Sequence, residues 1–276
     1  MKTRVITSIL IVLVAIPVFL LSDYIVYPIV LALLAGASVF ELLRVHGCGK
    51  NPAVAIPSYL LALVLPISAF FTGGHIMDFF LISAVAIYAF LLYMLMVAVF
   101  SKGKLLFSKA AGIFCSVAYA VLAFTALSVI RYIDSGVFCF GTVFIASWVS
   151  DVFALLVGKL CGKRKLIPEV SPKKTVEGLI GGVVFAILAM LLYGFIVDML
   201  VDYITVNYII LGAMGLGFSL LSQVGDLIAS TIKREGGIKD YGDILPGHGG
   251  ITDRFDSIFA VAIPMLVVCV VFPPFV

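Results

Sequence analysis

Apolar runs long enough to cross a bilayer, each ended by a short charged or turn-rich break, repeat along almost the whole chain. A helix needs about 20 mostly apolar residues to traverse the hydrocarbon core. The breaks divide the sequence into about nine such runs, near residues 5–21, 24–43, 53–72, 78–100, 106–130, 136–157, 178–199, 205–229 and 257–275. This pattern predicts an all-α, polytopic integral membrane protein. The first break, Ser22–Asp23, is very tight, and Pro17, Pro28, Pro66 and Pro264 fall inside runs, where proline kinks or shifts a helix. Met1–Arg4 followed by an apolar core has the form of a signal peptide. The lack of a small-x-small cleavage site and the many later spans favour an uncleaved first span.

Within two runs the polar residues are periodic. Ser219, Ser222, Gln223, Asp226 and Ser230 of the eighth run fall at i, i+3, i+4, i+7 and i+11, one face of a helix. The sixth run repeats the device with Ser147, Ser150, Asp151 and Ala154, followed by Gly158 and Lys159. An aspartate in a span costs a few kcal/mol unless it is paired, solvated or metal-bound. Asp226 and Asp151 are therefore site candidates, with an interhelical hydrogen-bond seam or a water-filled transport path as the plainer alternatives.

The longest polar stretch, Ser230–Asp256, separates the last two runs. Its glycine turn, Pro246–Gly250 around His248, has a backbone able to present N–H groups to an anion, and the following helix start adds its dipole. Asp253 and Asp256, three apart, share a helical face with Cβ atoms about 5–6 Å apart, suited to holding metal. An N-cap role for Asp253 is the simpler alternative. Lys233, Arg234, Lys239 and Arg254 surround these acids, a mixture that suits Mg²⁺ holding a polyphosphate whose other oxygens meet cations. His248 is either structural or a donor to a phosphate oxygen.

Composition and charge narrow the class. The chain is 63% apolar and 12% charged, against about 25% charged in a soluble domain, and its net charge of +3 excludes an electrostatic nucleic-acid binder. Its five cysteines form no CxxC pair and imply neither a disulfide framework nor a zinc site. Sorting the 18 Lys and Arg residues between alternate loops leaves Arg131 alone on one side. By the positive-inside rule the other side, with the N-terminus and the loops 158–177 and 230–256, is cytoplasmic. The basic loop Gly158–Glu177, read by charge alone, is a topology determinant or an anionic-lipid contact. Residues 1–135 form an N-terminal membrane region of about five spans, and 136–276 a C-terminal region with the candidate chemistry.

Ser230, Lys233, Arg234, Lys239, Asp240, Gly242, Leu245, Pro246, His248, Gly249, Gly250, Asp253, Arg254 and Asp256 resemble, at every spacing, the C-terminal signature of phosphatidate cytidylyltransferases, the CDP-diacylglycerol synthases. Asp151, Ala154, Gly158, Lys159 and Pro168–Gly178 are similar to that family's second cytoplasmic motif, with departures at Leu155 and Lys159. The resemblance implies a membrane nucleotidyltransferase of phospholipid biosynthesis that converts CTP and phosphatidate to CDP-diacylglycerol and pyrophosphate in the inner membrane. It implies a metal role for Asp226, Asp253 and Asp256, with one or two Mg²⁺ ions and a monovalent cation left open. Lys233, Arg234, Lys239, His248 and Arg254 are the expected phosphate-handling catalytic residues. Asp151, Ser171, Lys173, Lys174, Thr175, Ser230, Gly249 and Gly250 are the expected substrate-binding ones. The expected partners are CTP, phosphatidate and the bilayer, with no nucleic acid and a homodimer left open. The competing readings are a CTP-dependent polyprenol or phytol kinase and, in another class, a cation transporter.

Overall fold

The computed structural model describes residues 17–18, 21–73, 75–244, 247 and 249–276. Among them are eight helices long and apolar enough to cross a membrane: α1 (Val26–Val45), α2 (Pro52–Thr72), α3 (Ile76–Phe100), α4 (Phe107–Ile130), α5 (Gly136–Cys161), α6 (Val176–Leu200), α7 (Tyr208–Glu235) and α8 (Thr252–Val271). The protein is an all-α, polytopic membrane protein. The expected run at 5–21 lies almost entirely outside the described residues. The Ser22–Asp23 break is a turn, as its shortness predicts.

The chain divides into two compact units, the first comprising 1–132 with 235–255 and the second 133–234 with 256–276. In the first unit α4 is the most enclosed helix, packed against α1, α2 and α3. With no aqueous solvent around the spans, polar groups must be satisfied internally, and the ties inside this unit follow that rule. Tyr27 Oη donates to the Leu127 carbonyl at 2.9 Å, and Ser128 Oγ to that of Pro66, also at 2.9 Å. Pro57 lacks the N–H that would bond four residues back to Ala53. Tyr93 Oη of α3 donates to that carbonyl instead, at 2.9 Å.

In the second unit α5 is interrupted by a π-helical turn, Ile145–Val149, directly before Ser150 and Asp151. Such bulges re-aim the side chains that follow. Glycine and alanine then let α5 and α6 approach closely. A Cβ on Gly178 would lie 2.5 Å from the Ala154 carbonyl oxygen, and one on Gly182 would lie 2.7 Å from that of Ser150. Ala154 and Gly158, which carry part of the motif resemblance, are thereby explained as a helix crossing. The α7–α8 approach is also close, since a Cβ on Gly225 would lie 2.8 Å from the Asp256 carbonyl oxygen.

Three boundaries differ from those the hydropathy breaks predict. Helix α5 runs on to Cys161, and the loop after it contains an antiparallel hairpin, β1 (Lys165–Ile167) and β2 (Ser171–Thr175), too short to announce itself by alternation. Glu177 closes the hairpin's base, its carboxylate accepting the N–H of Lys163 at 3.0 Å. Helix α7 extends to Glu235, so Ser230, Lys233 and Arg234 are helical rather than part of a loop. Helix α8 begins at Thr252, five residues earlier than hydropathy places it, because polar residues filled its first turn.

Candidate active site

Three aspartates of the second unit come from three helices. Asp151 stands two residues after the π-turn of α5, Asp226 on the polar face of α7, and Asp256 just inside α8. They lie close enough for each charge to act on the others. Two lysines offset them. Lys174 Nζ lies 2.8 Å from Asp226 Oδ2, and Lys233 Nζ lies 3.9 Å from Asp256 Oδ2.

The local sequence explains these positions. In β2 the Lys174 side chain is half-buried while its neighbours Pro172 and Lys173 are exposed, and its ammonium also donates to the Gln223 carbonyl at 3.2 Å. Two turns down α7 from Asp226, Lys233 is half-buried. Gln223 Nε2 donates to Asp151 Oδ1 at 3.0 Å and to Ser150 Oγ at 3.3 Å. Ser230 Oγ donates to Asp226 Oδ1 at 3.3 Å, and the Ser257 N–H donates to Asp256 Oδ1 at 2.8 Å. The polar faces read from the sixth and eighth runs thus meet around carboxylates.

The other predicted residues have separate surroundings. Thr175 is buried and caps α6, its hydroxyl accepting the Gly178 N–H at 3.1 Å. Ser171 opens β2, while Lys173, Arg234, Lys239 and Arg254 are exposed. His248 lies outside the described residues.

In the first unit, Asp253 Oδ2 accepts the N–H groups of Tyr241 at 2.8 Å and Gly250 at 3.0 Å. Asp253 sits in the first turn of α8, and this oxygen folds the preceding loop back on it. Residue Glu41 of α1, which the apolar pattern of its run hides, is only 1% exposed. Its Oε1 accepts the Ile251 N–H at 2.9 Å and its Oε2 the Thr252 N–H at 2.8 Å. The sequence pattern gives the anion-facing N–H groups to the glycine turn and adds the dipole of the following helix start. Those of residues 250–252 are already taken by carboxylates, which would repel an anion. Gly247 and Gly249 adopt φ of 79° and 82°, a left-handed backbone that suits glycine.

Among the described residues no three acidic, imidazole or thiol groups form a ready-made metal site. That does not oppose Mg²⁺, which usually takes one or two protein carboxylates and completes its shell with substrate phosphates and water. Asp226 and Asp256 fit this requirement, each now facing an ammonium group where a cation would sit.

Fold and site together define a polytopic membrane protein with carboxylates and lysines interleaved at helix ends, a combination suited to phosphorylated substrates. The chain matches the model of the cytidylyltransferase family over residues 2–272 and belongs to that family. It is 34% identical over 273 residues to the phosphatidate cytidylyltransferase of Staphylococcus haemolyticus strain JCSC1435, covering 96% of this chain and 97% of the relative. Similar relatives of the same name occur in Staphylococcus aureus strain COL, 36% identical with 96% and 97% covered. Another is found in Bacillus subtilis strain 168, 34% identical with 96% of each chain covered.

Proposed function

We propose that the protein is a phosphatidate cytidylyltransferase that makes CDP-diacylglycerol and pyrophosphate from phosphatidate and CTP. The observation that carries the reading is the cluster of Asp151, Asp226 and Asp256 against Lys174 and Lys233, in a chain related over nearly its whole length to proteins of that name. A phosphate oxygen of phosphatidate forms a bond to the α-phosphorus of CTP, and the bond to the β-phosphate oxygen breaks. Both partners are already anionic, so the protein supplies alignment and charge neutralisation rather than a strong base.

Asp226 and Asp256 are the carboxylates that would hold Mg²⁺, and the ion would supply neutralisation of phosphate charge there. Gln223 orients Asp151, and Ser257 N–H and Ser230 fix the two carboxylates beside it. Lys174 exchanges its partner, from Asp226 to a phosphate oxygen, as substrate enters. Lys233 holds charge beside Asp256, and the exposed Arg234 attracts the polyphosphate. The basic side of the bilayer, where CTP is found, is the side from which the site is entered, in the inner membrane of a bacterium.

A CTP-dependent lipid kinase is separated by the fate of label. With phosphatidate and Mg²⁺ in detergent, α-labelled CTP should place its label in lipid and γ-labelled CTP should release it as pyrophosphate. Label from the γ position in lipid, or no lipid label from the α position, would exclude the cytidylyl transfer.

A further inference from the structure

We propose that Glu41 is a positioning residue for the nucleotide, a buried carboxylate supplied by α1 that fixes the first turn of α8, the helix that bears Asp256. Three observations converge on it. Both of its oxygens accept backbone N–H groups, from Ile251 and Thr252. Three residues earlier on α1, Ser38 Oγ hydrogen-bonds Thr252 Oγ1 at 2.7 Å, so one face of α1 grips one residue twice. Glu41 also explains two glycines whose φ values demand none. A Cβ at Gly250 would lie 2.3, 2.5 and 2.6 Å from Oε1, Cδ and Oε2 of Glu41, and one at Gly242 would lie 3.0 Å from Oε1.

A buried carboxylate in a membrane helix is costly, and here it is used to saturate orphan donors at a helix start, where the dipole also favours it. With Asp253 holding Tyr241 and Gly250 from the other side, the backbone at Tyr241 and at residues 250–252 is pinned by two carboxylates. The N–H groups of 250–252 are thereby withdrawn from any ligand. The first described span thus acts on the nucleotide through the start of α8, the helix that bears Asp256, without touching it.

The proposal rests on the cytidylyltransferase reading, and the test separates the two. Full-length Glu41→Gln in detergent loses one acceptor and sets an amide N–H against a backbone N–H. Its KM for CTP should rise roughly ten-fold with the KM for phosphatidate unchanged. A CTP KM within about two-fold of wild type overturns the positioning role. Thermal unfolding of Gly250→Ala, Glu41→Ala and the double variant supplies a readout independent of activity. Gly250→Ala should lower Tm in the wild-type background and have little effect once Glu41 is alanine. Equal losses in both backgrounds overturn the proposal, and this holds should Glu41→Gln itself fail to fold. Wild-type protein that leaves CTP unconsumed would instead remove the enzymatic reading, while the thermal coupling would still decide the contact.

Discussion

Replacing Lys174 by Met removes the ammonium beside Asp226 and keeps most of its apolar stem. The two side chains are 18% and 29% exposed and 2.8 Å apart, so the pair is neither a solvated surface bridge nor a dry one. A hydrogen bond between charged groups contributes about 1.5–3 kcal/mol. Its loss here also leaves Asp226 facing the charges of Asp151 and Asp256. About 2 kcal/mol of stability should go, which for a chain of this size lowers Tm by about 4–8 °C.

The sign of the metal response is the sharper test. Lys174 competes with a divalent cation for Asp226, so its removal should tighten Mg²⁺ binding even as it slows turnover. Mg²⁺ at about ten times its Kd contributes about 1.4 kcal/mol, and the variant should recover most of its lost Tm while wild type gains less. Differential scanning fluorimetry in detergent, with EDTA or Mg²⁺, reads both effects. A Tm in EDTA within about 1 °C of wild type, or an equal Mg²⁺ gain in both proteins, would refute the competition.

Asp253→Asn weakens the latch on Tyr241 and Gly250. It should cut turnover about ten-fold without moving the Mg²⁺ concentration for half-maximal rate. A large rise in that concentration would restore Asp253 to the metal shell. His46 follows α1, its Nε2 3.0 Å from Ser116 Oγ, and burial with the Lys109 ammonium pushes its imidazole below the usual range. A base with a depressed folded pKa is protonated first in the unfolded chain. Stability should therefore be full above pH about 6.5 and fall as pH drops below it. His46→Gln should flatten that loss in Tm measured between pH about 7.5 and about 5.5, and an unchanged slope would show that other groups carry it.

The contacts of the candidate site were legible in the sequence where periodicity carried the information and were not where the partners lie far apart in the chain. Ser219, Gln223, Asp226 and Ser230 share a helical period, so their common face was legible, and the α7 segment that bears them lies as expected. Lys174 was legible only as one cation in a basic loop. Its pairing with Asp226 needs a hairpin whose strands span three and five residues, below the length at which alternation is a signal. Glu41 was hidden for another reason. It is a single acid in an otherwise apolar run, and its partner Ile251 is 210 residues away. The start of α8 was misplaced because Thr252, Asp253 and Arg254 read as loop by hydropathy, although the first turn of a helix tolerates and favours such residues.

The central claim is that the aspartates gathered on α5, α7 and α8 are the reaction centre. Its most direct test is the transfer of α-label from CTP to phosphatidate by Asp226→Asn and Asp256→Asn, each purified with a thermal transition close to wild type. Each should lose activity by on the order of 100-fold or more, as removal of a charge-stabilising group does. Turnover near the wild-type rate in either variant would contradict the account.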